Sequence, residues 1–111
     1  MGISKTEIFT ERQNKLANYF RVLGHPARVT IIEYLLTQDS CVCGDIVSEV
    51  RLAQATISQH LKELRNIGII KGTISGTKTN YCIDSLKWSE VKLMMNTLLN
   101  KSLQCDDNGC C

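Results

Sequence analysis

The chain has 111 residues, of which 43% are hydrophobic and 22% charged, and its formal net charge is +2 at pH 7. This length suits one folded domain, and the composition is that of a globular protein rather than a disordered one. No uncharged apolar run approaches the roughly 18–20 residues that span a bilayer, and the polar residues 1–10 lack a signal-peptide pattern. We therefore expect a cytoplasmic protein with no membrane partner.

A first helix is predicted over residues 7–23, where apolar residues recur at helical spacing. Gly24 ends it, and Pro26 fits the first turn of a second helix that extends to about Thr37 and buries most of its apolar residues. After a polar break, residues 43–50 are predicted to form a short third helix.

A fourth helix is predicted from Ala53 to Ile67, with Gly68 as its C-terminal cap. Its apolar stripe consists of Ala53, Ile57, Leu61 and Leu64. The opposite face carries small or hydrogen-bonding side chains, which are unusual on a surface that only confers solubility. These side chains are Gln54, Ala55, Ser58, Gln59 and Lys62.

Two short β-like runs, 69–74 and 79–83, follow and predict a hairpin. A last helix is predicted over residues 85–103, with more apolar surface than a terminal helix leaves in water, so we expect it to pair with another chain. The predicted fold class is mainly α with a small β-hairpin (α+β), a winged helix-turn-helix. The domain is expected to span residues 1–104, and residues 105–111 are predicted to form a flexible cysteine-rich tail.

This order of elements is that of a helix-turn-helix followed by a wing. A helix fits the major groove, where each base pair presents a distinct pattern of donors and acceptors that Gln, Ser and Lys can address. The stretch from Arg51 to Tyr81 is also locally basic, with Glu63 as its single acid. The fourth helix is therefore the predicted recognition helix, and double-stranded DNA is the predicted partner.

Several segments resemble the ArsR/SmtB family of metal-responsive repressors, over the chain from about Leu16 to Leu99. One is Leu23-Gly-His-Pro26-Ala-Arg28, followed by Ile31-Ile32 and Leu35. Another is Leu52-Ala-Gln-Ala-Thr56-Ile-Ser58-Gln-His60-Leu61-Lys62-Glu-Leu64-Arg65, which is similar to the family's recognition helix. Gly68-Ile-Ile, a wing that ends at Tyr81, and Cys41-Val42-Cys43 complete the resemblance.

The resemblance implies a homodimer, formed by the first and last helices, that represses transcription from a palindromic operator and is not an enzyme. DNA binding requires no cofactor. The residues expected to contact DNA are Gln54, Ala55, Thr56, Ser58, Gln59, His60, Lys62, Arg65, Lys71 and Lys78. Two departures from the family pattern are Ala53, where a Ser or Thr cap is usual, and Gly44, which lies between Cys43 and Asp45.

Five of the six cysteines are grouped, which indicates ligand binding rather than a disulfide framework, since no export signal is expected. Thiolates select trivalent arsenic or antimony and other thiophilic metal ions. The predicted ligands are Cys41 and Cys43 before the helix-turn-helix, and Cys105, Cys110 and Cys111 in the tail. Cys82 stands alone in the wing and is expected to be structural or incidental.

Zinc-, cobalt- and nickel-sensing members of the family bind metal through Asp and His on the last helix, and residues 85–103 contain no His. The inducer is therefore expected to be arsenite or antimonite, held either by Cys41 and Cys43 with a tail thiol or by the tail thiols alone. A persulfide- or redox-sensing repressor that bridges two cysteines is the alternative. A small thiol reductase is a remote third, because the chain lacks a Cys-x-x-Cys pair.

Overall fold

The computed structural model describes residues 8–38, 41, 45–75 and 78–104. Within them the chain is mainly helical with one two-stranded antiparallel sheet, as the sequence predicts. In chain order, the elements are α1 (Glu11–Leu23), α2 (Pro26–Leu36), α3 (Asp45–Val50), α4 (Gln54–Asn66), β1 (Ile70–Ser75), β2 (Lys78–Ile83) and α5 (Ser85–Leu99).

Two predicted helix ends are wrong, and local hydrogen bonds explain both. α1 begins at Glu11 rather than near residue 7, because Thr10 and Gln13 form a capping box in which each side chain accepts from the other's backbone N–H at 3.0 Å. α5 ends at Leu99 rather than Leu103. Beyond this point the Lys101 N–H donates to the Leu98 carbonyl at 3.3 Å, an i→i−3 bond in place of the helical i→i−4 bond.

The core lies where α1, α2, α4 and the start of the hairpin meet. Three of the four residues of the predicted stripe of α4, Ile57, Leu61 and Leu64, are buried, whereas Ala53 is exposed and precedes the helix. In α2 the prediction is only partly correct, since Val29 and Leu36 are 44% and 49% exposed. These two residues are seven positions apart and share the outer face of the helix. The other core side chains include Tyr19, Val22, Ile31, Ile32, Leu35, Ile46, Ile69, Ile70 and Val91.

The hairpin joins the core through its first residues. Gly68 has a φ of +83°, a left-handed conformation that lets the chain turn from α4 into β1. Ile70 pairs with Ile83, and Lys71 pairs with Cys82. Ile69 and Ile70 are buried and anchor this end of the hairpin in the core.

α1 and α5 are joined by a surface cluster around Glu90. Lys15 Nζ lies 2.6 Å from Glu90 Oε1, and Lys87 Nζ lies 2.9 Å from Glu90 Oε2. Tyr19 Oη donates to Glu90 Oε2 at 3.4 Å. The two ammonium groups bind the carboxylate and lower the pKa of Glu90 to about 2. In the part of the chain that is described, no helix is both long and apolar enough to span a membrane.

Candidate nucleic-acid interface and cysteine pair

α3 and α4 form the helix-turn-helix, connected by residues 51–53. Arg51 in this turn has a φ of +60°, a conformation that non-glycine residues adopt at a cost. α4 then starts after Ala53, whose side chain makes no capping hydrogen bond. As the sequence predicts, no side chain caps α4 at this position. Compared with a Ser or Thr cap, this lowers the stability of the helix end by about 1 kcal/mol.

The outer face of α4 is polar and open to solvent. Its buried side is anchored by Ile57, Leu61 and Leu64, so the residues between them must point outward. One internal contact is present, a 3.4 Å hydrogen bond from Gln54 Nε2 to Ser58 Oγ. The exposed residues predicted to contact DNA are Gln54, Ala55, Thr56, Ser58, Gln59, Lys62 and Arg65.

His60 does not belong to this face, so its predicted contact with DNA does not fit the structure. The side chain is 8% exposed, and its Nδ1 accepts a 3.0 Å hydrogen bond from Arg28 Nε. The His25 ring lies 4.4 Å away, centroid to centroid. Burial lowers the pKa of His60, and the nearby His25 and Arg28 lower it further. The neutral imidazole therefore acts as an acceptor inside the domain.

Arg28 connects three helices. Besides His60 in α4, it donates from Nη1 to the carbonyl of Val22 in α1 at 3.2 Å. His25, just before α2, accepts from the backbone N–H of Ala27 through Nδ1 and so caps that helix. The arginine in the sequence segment around Pro26 is thus a support that holds the recognition helix in position.

The wing places one predicted contact residue on the surface. Lys71 in β1 is exposed, whereas the side chain of Lys78 lies outside the described part of the structure. A Cβ added to Gly72 would lie 3.8 Å from Arg65 Nη1, so the guanidinium of Arg65 lies next to β1. Adjacent strand residues project to opposite faces, so Arg65 lies at the Gly72 face of β1 and Lys71 at the face that carries Cys82.

Cys82, whose isolated position in the sequence predicts a structural or incidental role, is bonded to Cys41. The two form a disulfide with a Cα–Cα distance of 4.5 Å. It joins β2 to the segment that precedes α3. The two cysteines are 41 positions apart, and nothing in the sequence pattern predicts that they pair. Their contact depends on how the wing packs against the end of α2. Cys43, Cys105, Cys110 and Cys111 lie outside the described residues, so the predicted metal sites stay predictions.

Within the described ranges, no group of three or more His, Cys, Asp or Glu side chains could hold a metal ion.

Large apolar side chains on α5 and near α1 remain uncovered. Phe20 of α1 and Leu98 of α5 line one groove of about 260 Å³, so the exposed surfaces of the two helices adjoin. The exposed fractions are 50% for Phe9, 38% for Phe20, 84% for Leu86, 69% for Leu93, 46% for Leu98 and 67% for Leu99.

Comparison with known proteins gives consistent matches. Residues 25–71 match the family model described as "Bacterial regulatory protein, arsR family". An uncharacterized HTH-type transcriptional regulator of Methanocaldococcus jannaschii is 35% identical over 89 residues, which cover 79% of this chain and 99% of the relative. A cadmium resistance transcriptional regulatory protein CadC homolog of Staphylococcus aureus is 32% identical over 82 residues, or 73% of this chain and 67% of the relative.

Among solved structures, the crystal structure of Rv0081 from Mycobacterium tuberculosis has a TM-score of 0.65 and 29% identity, covering 83% of this chain and 92% of that chain. The fold and the order of elements therefore agree with those of helix-turn-helix regulators.

Proposed function

Because the chain belongs to the ArsR family of bacterial regulatory proteins, we propose that it is a homodimeric repressor of transcription that binds a palindromic operator through α4 and the wing. It is a DNA-binding regulator and not an enzyme, so the thiol reductase alternative is dropped. The observation that carries the proposal is the exposed polar face of α4 on a helix whose other side is anchored in the core.

The exposed face divides into two kinds of contact. Gln54, Ser58 and Gln59 are neutral and carry donors and acceptors, which suits them to read base edges in the major groove. Lys62, Lys71 and Lys78 are cations that suit phosphate oxygens. Base discrimination is assigned to Ser58 or Gln59.

The dimer is proposed to form through α1 and α5. Leucines with exposed fractions of 46% to 84% are unusual on the surface of a monomer this small, and their removal from water favours association. Sedimentation of the reduced protein at micromolar concentration should show a dimer. A monomer there would contradict the proposed interface.

The inducer is proposed to be arsenite or antimonite, bound by thiolates that replace its oxygen ligands. Three observations support this: two cysteines in the sequence just before α3, three in the tail sequence, and a relative named for resistance to cadmium, another thiophilic ion. A site that includes Cys41 requires the reduced form of that residue, because Cys41 is bonded to Cys82 in this structure. The inducer releases DNA because it binds more tightly to the state that cannot dock both α4 helices.

Two paired variants test which thiols bind the inducer. One carries Cys41→Ser with Cys43→Ser, and the other carries Cys110→Ser with Cys111→Ser. Each is measured for loss of operator binding on addition of arsenite to reduced protein. Loss of response in the first alone assigns the site to the segment before α3, loss in the second alone assigns it to the tail, and loss in both indicates a shared site. A full response in both variants contradicts the thiolate inducer site.

One observation favours the alternative inducer class, an oxidant or persulfide. Cys41 is in a disulfide with Cys82, so a thiol beside the helix-turn-helix already has a partner for oxidation. If sulfide or peroxide releases the protein from DNA and arsenite and antimonite do not, the redox function replaces the metalloid one.

A further inference from the structure

The Cys41–Cys82 pair lies in a cleft beside the wing. The cleft has a volume of about 560 Å³ and is bounded by the end of α2, the hairpin and the start of α5. Leu35, Leu36 and Trp88 form apolar walls next to both cysteines. Leu36 is 49% exposed, so a molecule that entered from solvent would meet an apolar surface.

A cation lies on the same face of the hairpin as Cys82. Lys71 is the register partner of Cys82 across the two strands, and both residues line the cleft. Side chains of paired residues project to the same face of a sheet, within a few ångströms of each other. On this geometry Cys82, across the strand pair from Lys71, is assigned as the attacking thiol, and Cys41 as the thiol that completes the bridge.

We propose that Cys82 and Cys41 are a redox-active pair that is oxidised by an organic hydroperoxide bound in this cleft, and that their disulfide weakens operator binding. The regulatory half of this inference rests on the proposed function. An organic hydroperoxide is the chosen class because its carbon substituent would contact Leu35, Leu36 and Trp88, and an anionic group on it would meet Lys71. Hydrogen peroxide has no such substituent.

The chemistry takes two steps. The Cys82 thiolate attacks the distal oxygen of ROOH, the O–O bond breaks, and the alkoxide takes up a proton to leave as ROH. The resulting sulfenic acid is attacked at sulfur by the Cys41 thiolate, which forms the S–S bond and releases hydroxide, protonated to water. The sum is ROOH + 2 Cys-SH → Cys-S-S-Cys + ROH + H₂O, in which the two thiols are oxidised and the peroxide is reduced.

The bridge couples this chemistry to DNA binding through the wing. The disulfide ties β2 to residue 41, shortly before α3, so the wing and the helix-turn-helix become covalently linked. In this form Lys71 faces the cleft, opposite Cys82. Reduction frees the wing to follow the DNA backbone while α4 occupies the groove. We therefore expect oxidation to lower operator affinity by roughly fivefold or more.

The test uses the reduced full chain, treated with cumene hydroperoxide or with hydrogen peroxide at equal concentration. Peptide mapping under non-reducing conditions identifies the linked cysteines, and fluorescence anisotropy with operator DNA measures affinity. The expected result is a Cys41–Cys82 linked peptide that forms faster with cumene hydroperoxide, together with weaker DNA binding. Cys82→Ser should abolish both effects, whereas the tail variant Cys110→Ser should retain them.

A second pair of variants tests the cleft itself. Leu36→Glu places a charge in the apolar wall and should slow the reaction with cumene hydroperoxide more than the reaction with hydrogen peroxide. Val29→Glu alters a similarly exposed residue of α2 that does not line the cleft, and it should leave both rates unchanged. Equal slowing by the two substitutions would contradict the cleft as the binding site.

Other outcomes overturn the inference. A linked peptide that contains Cys43 or a tail cysteine in place of Cys82, equal rates with the two peroxides, or a bridge formed only by cysteine persulfide would each contradict it. Unchanged affinity of the bridged protein would refute the regulatory half. If the reduced protein binds no operator at all, the proposed function fails and the regulatory half fails with it, while peptide mapping still decides the chemistry.

Discussion

Single residues set the geometry on which the recognition helix depends. Arg28 donates to His60 in α4 and to the Val22 carbonyl in α1, so one guanidinium fixes α4 against two other helices. His60 is three positions after Ile57 and four before Leu64, which places it at the edge of the buried stripe. That periodicity could have identified His60 as an inward residue. The sequence alone left two roles open for this flanking position, packing and a contact with phosphate, and the hydrogen bond from Arg28 assigns it to packing.

Gly68 gives a stability prediction at this scale. The residue has a φ of +83°, and a Cβ there would lie 3.1 Å from Lys87 Cε. Gly68→Ala should therefore lower the free energy of unfolding by about 1–2 kcal/mol, measured by urea denaturation, because an L-residue is strained in this conformation. Gly68→Asn is the matched control and should cost less, because asparagine tolerates a left-handed backbone. Equal costs for the two would contradict strain as the cause.

Cys82 shows what residue patterns leave out. Clustering predicts that neighbouring cysteines act together, but it has no information about a partner on a distant strand. The Cys41–Cys82 bond arises from the placement of β2 against the end of α2, which is a tertiary contact. Hydrophobic spacing, by contrast, is a local property, and it predicted both the anchored side of α4 and its exposed polar face.

At the scale of elements, α4 contains both kinds of proposed DNA contact. Gln59→Ala should relax the preference for particular base pairs while leaving binding to random duplex nearly unchanged, because its amide reads base edges. Lys62→Ala should weaken binding to all sequences and reduce the slope of log K against log salt by roughly 1 for each phosphate that a protomer no longer neutralises. Binding titrations at several salt concentrations, on operator and on random DNA, separate the two. Identical effects of both substitutions would contradict the assignment of α4.

The stabilising contact between α1 and α5 should weaken at low pH. Glu90 has a folded pKa of about 2, below its usual value of 4.5, because Lys15 and Lys87 bind its charged form. The charged carboxylate therefore stabilises the folded state at pH values above the pKa that Glu90 has in the unfolded chain. This stabilisation is lost as the pH falls from about 5 to 2, where the carboxylate becomes protonated. Wild type should therefore lose stability over this window more steeply than Glu90→Gln, as measured by thermal denaturation.

The carboxylate is partly exposed, so the acid effect should be modest and should shrink with added salt. A wild-type profile parallel to that of Glu90→Gln at low salt would show that the cluster does not support the α1–α5 contact.

At the scale of the whole molecule, a single copy of the chain leaves large apolar side chains of α5 exposed to solvent. The sequence predicted the winged helix-turn-helix because each element has a strong local signal. Apolar residues recur at helical spacing in the helices, Pro26 and Gly68 mark helix boundaries, and short β-like runs form the hairpin. It predicted an unpartnered last helix for the same reason. The exposed leucines of α5 agree with that prediction.

The central claim is that two copies of this chain read DNA together through their α4 helices. Selection of binding sites by the reduced protein from a random duplex library, followed by sequencing, tests this claim without knowledge of the natural operator. The account predicts a palindromic motif whose half-sites are centred about 10–10.5 base pairs, or one helical turn, apart. Gln59→Ala should lose preference at matching positions in both half-sites. An enriched motif without two-fold symmetry, or no enrichment over the starting library, would contradict the account.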